Sequence, residues 1–296
     1  MEGENPVIII RNAASTAKIK VTKLRGNVSV LEGSGGNIVV LTGRDGKVLV
    51  DAGITGSRLH ITEALANISD DPIKHLINTH WHFDHTDGNE WLHSVGAEIT
   101  GHENTRKHLA TTTRVEDWNF TFPAAPTGAL PTNLLSSEQT LHLNGATLAL
   151  NYYPAAHTDS DISVHFTDAD IIDVADTFWN GHFPFIDYST GGSFDGMIRA
   201  AEANVAGVTD KTIVIPGHGP IGNKSQLIEF RDMLVSVRDK VSTLKKEGKS
   251  LEEVVAAKPT ADYDAKWGGF VVNGDFFTKL VYKGIGKDPG YLPNHS

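Results

Sequence analysis

Short apolar blocks separated by turn residues fill the first part of the chain. Lys18 to Leu24, Asn27 to Leu31, Asn37 to Thr42 and Lys47 to Asp51 are rich in Val and Ile. Arg25-Gly26, Gly33-Ser34-Gly35-Gly36 and Arg44-Asp45-Gly46 punctuate them, a pattern that predicts a strand meander. The period then changes: Leu59, Thr62, Leu65, Ala66 and Ile68 give residues 58–69 one apolar helical face. A strand over 74–79, a helix through Trp91, Leu92 and Val95, a strand over 97–100 and a helix over 103–110 are expected next. Strands alternating with helices after a meander predict sheet layers covered by helices.

Residues 111–133 lack a clear period and carry Trp118, Phe120 and Phe122 before Pro123, Pro126 and Pro131. A segment of that length is either a lid or a crossover packed into the core. Asn144-Gly145 between apolar runs 139–143 and 146–152 predicts a hairpin. Strands Ile162 to Phe166, Ile171 to Ala175 and Lys211 to Pro216 follow. Asn223-Lys224-Ser225-Gln226 reads as a capping box. Leu227, Phe230, Leu234, Val237, Val241 and Leu244 then recur at helical spacing, a stripe suited to core packing. Leu251 to Ala257 predicts a short helix and Phe270 to Tyr282 a third amphipathic segment. We expect an N-terminal extension over 1–17, one domain over 18–283 and a loose tail over 284–296.

Composition narrows the classes. With 40% hydrophobic and 21% charged residues, the 296-residue chain has the make-up of an ordinary globular protein. Its net charge of −10 argues against a protein that grips phosphate backbones, so no nucleic-acid partner is expected. There is no cysteine, which excludes a disulfide framework and thiolate metal ligands. No apolar run approaches membrane-spanning length, and Val7-Ile8-Ile9-Ile10 is too short for a signal peptide's apolar region. The expected location is cytoplasmic, or periplasmic where a leader has been removed.

The densest chemistry is Thr79-His80-Trp81-His82-Phe83-Asp84-His85, directly after the apolar strand. Two residues apart in extended backbone, His80 and His82 point to one side and can grip one cation. Asp84 and His85 diverge and can face a second. Imidazole nitrogen and carboxylate oxygen are donors that zinc accepts. A metal-free His-rich loop is the bland alternative, but H-x-H-x-D-H is too ordered for chance in a chain with 14 His.

This motif after an apolar strand resembles the signature of the metallo-β-lactamase superfamily. The resemblance implies an α/β fold, the four-layer αββα sandwich, and further ligands downstream in order. His157 in Ala155-Ala156-His157-Thr158-Asp159 is similar to the third imidazole on the first metal, although Ala156 and Asp159-Ser160 replace the family's flanking Gly and Pro-Gly. Asp176 matches the carboxylate that bridges two metals, and His218 in Gly217-His218-Gly219-Pro220 the last ligand. By the same resemblance, His80, His82 and His157 hold one metal, Asp84, His85 and His218 the other, and Asp84 protonates the leaving group. Asp51 looks like a carboxylate supporting the metal loop; its alternative role is to begin a turn before Gly53. Absence of Cys excludes the lactamase subclasses that place one on the second zinc.

The resemblance therefore implies a dizinc hydrolase of a small-molecule ester, thioester, lactone or β-lactam, closer to the lactonase and glyoxalase II branches than to the all-imidazole lactamases. Two cations about 3.5–4 Å apart can hold a bridging hydroxide at neutral pH and polarise the bond it attacks. The alternative is a mononuclear iron oxidoreductase similar to the persulfide dioxygenases, with iron on His80, His157 and Asp176. Trp81, Trp179, His182, Phe183 and Phe185 are candidates for an apolar substrate pocket, or ordinary core aromatics.

Overall fold

The computed structural model describes residues 5–286; residues 1–4 and 287–296, and with them most of the expected tail, lie outside the described residues. The fold is mixed α/β, with a seven-stranded sheet, a five-stranded sheet and a two-stranded ribbon. The chain divides into two compact units: the described residues up to 152 together with 162–175, and residues 153–161 together with the described residues from 176 onwards.

The first unit opens on α1 (Pro6–Thr16), capped by Asn5, with Val7, Ile10 and Ala14 buried on one face. β1 (Lys20–Lys23), β2 (Val28–Glu32), β3 (Ile38–Leu41) and β4 (Lys47–Val50) form the antiparallel meander that the patterning predicts. After α2 (Arg58–Ile68), β5 (Ile73–Asn78) pairs with β4 in parallel. Then come α3 (Phe83–Thr86), α4 (Asn89–Ser94), β6 (Glu98–His102) and α5 (Glu103–Leu109). β6 is also parallel to β5. Leu31, Ile38, Val40, Leu49, Leu76 and Ile99 from the sheet pack with Ile61 and Leu65 of α2 and with Trp91 and Leu92 of α4. Helix α2 is the crossover that a parallel β4–β5 pair needs. Its consequence is functional: the carboxyl ends of β4 and β5 lie side by side, and Asp51 N–H donates to Ile77 O at 2.8 Å.

Residues 111–133 form the ribbon β7 (Thr113–Val115) and β8 (Phe120–Phe122) and lead to β9 (Asn133–Leu135), which joins the seven-stranded sheet beside β6. Trp118 and Phe122 are buried, so this is the packed crossover and not an open lid. β10 (Glu138–Leu143) and β11 (Ala146–Tyr152) make the expected hairpin, with Asn144 and Gly145 both at positive φ as its two-residue turn requires. β12 (Ile162–Phe166) and the first residues of β13 (Ile171–Trp179) complete this unit.

The second unit contains the end of β13, α6 (Phe194–Ala206), β14 (Ile213–His218), α7 (Lys224–Lys246), α8 (Leu251–Ala256), α9 (Asp264–Trp267) and α10 (Gly274–Gly284). Sequence patterning does not anticipate α1, α3, α6 or α9. In α6 the stripe Phe194, Met197, Ile198 and Ala201 is diluted by Gly196 and three further alanines, and the cap by Ser193 is its clearer signal. β13 also runs on to Trp179, which puts Asp176 inside the strand and not after its end. No helix among the described residues is long and apolar enough to cross a membrane.

The capping box of α7 is present: Gln226 N–H donates to the Asn223 side chain at 3.2 Å, and Asn223 N–H donates to Gln226 Oε1 at 3.1 Å. Asn223→Ala is expected to cost about 1 kcal/mol in urea unfolding, the usual loss of an N-cap, with metal content unchanged.

Candidate metal centre

β5 delivers the first part of the site. Thr79 and His80 follow its last residue, and His82 caps the short helix α3, which carries Asp84 and His85. The motif is thus extended at its start and helical at its end. Ring centroids lie 4.9 Å apart for His80 and His82, and 4.3 Å apart for His80 and His85. Asp51, at the end of β4, holds this loop: Thr79 N–H donates to its Oδ1 at 2.8 Å and Thr79 Oγ1 to its Oδ2 at 2.7 Å. His85 Nδ1 lies 2.7 Å from the same Oδ2. Burial pushes the Asp51 carboxyl above its ordinary pKa, while His85 and Thr79 pull it down. Asp51 adopts φ 64°, a left-handed conformation that a non-glycine residue enters only under constraint. Beside it, Gly36 packs so closely that a Cβ there would fall on the His85 ring.

The loop before β12 carries His157. Thr158 donates twice to Asp161, from N–H to Oδ2 at 2.8 Å and from Oγ1 to Oδ1 at 2.7 Å, and so closes a tight turn. Desolvation pushes the fully buried Asp161 carboxyl up to about 8, against those two bonds. Asp159, which stands where the family wording has Pro, donates its N–H to Thr190 O at 2.9 Å. His157 Nδ1 donates to Phe185 O at 2.7 Å. Ala155 (φ 48°) and Ala175 (φ 43°) precede His157 and Asp176 in left-handed backbone. His218 ends β14 and meets the Trp179 ring at a centroid distance of 4.3 Å. Gly219 beside it, at φ 89°, approaches Asn180 O where a side chain would not fit.

All seven residues are buried: His80, His82, Asp84 and His85 in the first unit, and His157, Asp176 and His218 in the second. Each of them offers an imidazole nitrogen or a carboxylate oxygen of the kind that holds a metal ion. Proton positions show what such groups need. Phe185 O can only accept, so His157 Nδ1 carries a proton, and in the neutral form of the ring Nε2 presents a lone pair. Thr79 spends its hydroxyl hydrogen on Asp51, so its Oγ1 accepts from His80 Nδ1 at 3.1 Å, with the same result. Yet His157 Nε2 faces Asp176 Oδ2 at 3.3 Å, and His218 Nε2 faces that oxygen at 3.5 Å. With neutral rings these are acceptors facing an acceptor away from water, an arrangement that a cation among them relieves. Imidazole and carboxylate at this density fit divalent metal ions, with outer hydrogen bonds fixing each ring as metal-ligating histidines require.

Of the aromatic pocket candidates, Trp81, Trp179, Phe183 and Phe185 are buried and His182 half-buried. Phe183 stacks on Phe277 at 4.7 Å, and Trp81 packs on Phe122 at 5.5 Å. Sequence reading missed Phe270, whose ring lies 5.8 Å from that of His218, and Gly36, whose only signal was a run of turn residues.

The family model of the metallo-β-lactamase superfamily matches residues 31–222. No curated protein matches the chain. Among solved structures, the stereoselective inverting sec-alkylsulfatase from Pseudomonas sp. is 16% identical with a TM-score of 0.69; the match covers 94% of this chain and 51% of that one. The chain therefore spans about half the length of the alkylsulfatase. The metallo-β-lactamase from Pontibacter korlensis is 19% identical at TM-score 0.58, covering 74% of this chain and 99% of that one. DIM-1 metallo-β-lactamase is similar at 19% and 0.58, covering 74% and 97%. At these identities the likeness is one of fold.

Asp51→Asn keeps the shape but weakens the hold on His85 and Thr79. Metal affinity should fall by about 10–100-fold, read as metal retained after dialysis against a weak chelator. Gly36→Ala, which displaces the His85 ring, should lower retention as well; full retention in both variants would refute this support role.

Proposed function

Because the chain belongs to the metallo-β-lactamase superfamily, we propose that it is a metal-dependent hydrolase of small molecules that holds two zinc ions. The observation that carries this reading is the place of Asp176. Its Oδ2 faces Nε2 of His157 and of His218, at 3.3 and 3.5 Å, as a shared carboxylate would. A mononuclear iron site held by His80, His157 and Asp176 has no use for Asp84, His85 and His218, and their presence favours the dinuclear reading over the dioxygenase alternative. Bound there, the metals would supply Lewis acidity and lower the pKa of a water.

The chain's own groups supply the rest. His80, His82 and His157 would hold one ion, Asp84, His85 and His218 the other, with Asp176 between. Asp51 fixes the His85 ring and, through Thr79, the His80 ring. Asp84 is buried, with Oδ2 3.7 Å from His85 Nε2, and is our candidate to hold the proton that the leaving group receives. An ester, thioester, lactone or β-lactam is the bond class. The alkylsulfatase likeness, which extends over 94% of this chain, adds sulfate esters to the series to test.

The test is Asp176→Asn, which keeps the shape and removes the charge that offsets two dications. Wild type purified without added metal should carry two zinc, and the variant fewer. Turnover of the best substrate in an ester, lactone, β-lactam and alkyl sulfate panel should drop at least about a hundredfold in kcat, with less change in KM. One iron in wild type, or full zinc and turnover in the variant, would overturn the reading.

A further inference from the structure

Phe270 presents a partly exposed aromatic ring beside a site residue, His218. It follows α9 in the segment Gly268-Gly269-Phe270-Val271-Val272, beyond the residues that the family model matches. Both sides of the segment are anchored: Trp267 is buried and accepts at its carbonyl from Phe183 N–H at 2.8 Å, and Val272 is fully buried. Between these anchors Phe270 stays 39% exposed, the one aromatic among the exposed large hydrophobic residues described. Its ring lies 5.1 Å from His182, 5.8 Å from His218 and 6.0 Å from Trp179. Burial, with His218 nearby, lowers the His182 pKa. An apolar ring held partly in water beside a site imidazole offers apolar area whose cover by an apolar group is favourable.

We propose that Phe270, backed by the buried Trp179 and with His182 beside it, forms the wall that receives the apolar part of the substrate beside His218, so that the protein prefers alkyl or aryl substrates over acetyl-sized ones. This inference rests on the hydrolase reading for what lies at the metals and adds the substrate class. Phe270 is a specificity-determining residue here; it takes no part in proton transfer or in holding an ion.

Binding of octanoate and acetate to the zinc-loaded protein by calorimetry tests the inference without requiring turnover. Octanoate should bind wild type more tightly than acetate. Phe270→Ala should lose about tenfold in octanoate affinity and leave acetate unchanged, as expected when a few methylenes lose their contact. Phe270→Leu should recover most of the loss. Leu59→Ala, which removes a residue 82% exposed on α2, should change neither. All proteins are compared at equal zinc content and equal Tm. The inference falls if wild type does not discriminate between the two acids, or if Phe270→Ala keeps the full preference. Chain-length discrimination without turnover of any panel substrate would sink the hydrolase reading alone. Turnover with no effect of Phe270→Ala would sink this one alone.

Discussion

Seven side chains of imidazole and carboxylate are kept out of water, and the local structure of each unit serves to hold them there. A neutral imidazole whose Nδ1 proton is spent on Phe185 O shows Asp176 the lone pair of Nε2. In water such groups would turn apart and solvate. Here the turn that Asp161 closes with Thr158 and the hydrogen bond to Phe185 hold His157 in place before any ion arrives. The site is preorganised for positive charge, which is how a protein selects a metal over water.

Backbone constraint keeps this arrangement in position. Parallel pairing of β4 with β5 sets Asp51 beside Thr79, and three non-glycine residues next to site groups sit at positive φ: Asp51, Ala155 and Ala175. Each such residue stores about 1–3 kcal/mol of strain, which the surrounding buried sheet over-determines. Ala175 illustrates the effect. It lies within a strand whose nine residues are all buried, and it departs from extended geometry immediately before Asp176.

What the sequence revealed followed where the chemistry was concentrated. H-x-H-x-D-H announces cation binding by residue type and spacing. Asp176 and His218 are ordinary strand-end residues in isolation, and only the family pattern drew them into the set. Strand boundaries were less legible, so Asp176 fell inside β13 and His218 inside β14. Helix α6 went unread because alanine and glycine blur its period. Phe270 carried no signal, since its meaning comes from His218 and His182, which lie 52 and 88 positions away in the chain and meet it only in the folded state.

Helix α1 stands outside the family match, which begins at residue 31. A designer seeking a minimal version of the protein would trim it first. Its Arg11 guanidinium, however, lies over the Phe83 ring at 5.2 Å and 3.9 Å from Asp87, on and beside α3. The helix is docked by Asn5 donating to Trp118 O and by Ser57 donating to Ala14 O, each at 2.7 Å. Trimming to the family boundary would uncover Phe83, the residue directly before Asp84. The functional boundary of this unit therefore lies upstream of the boundary that shared ancestry marks.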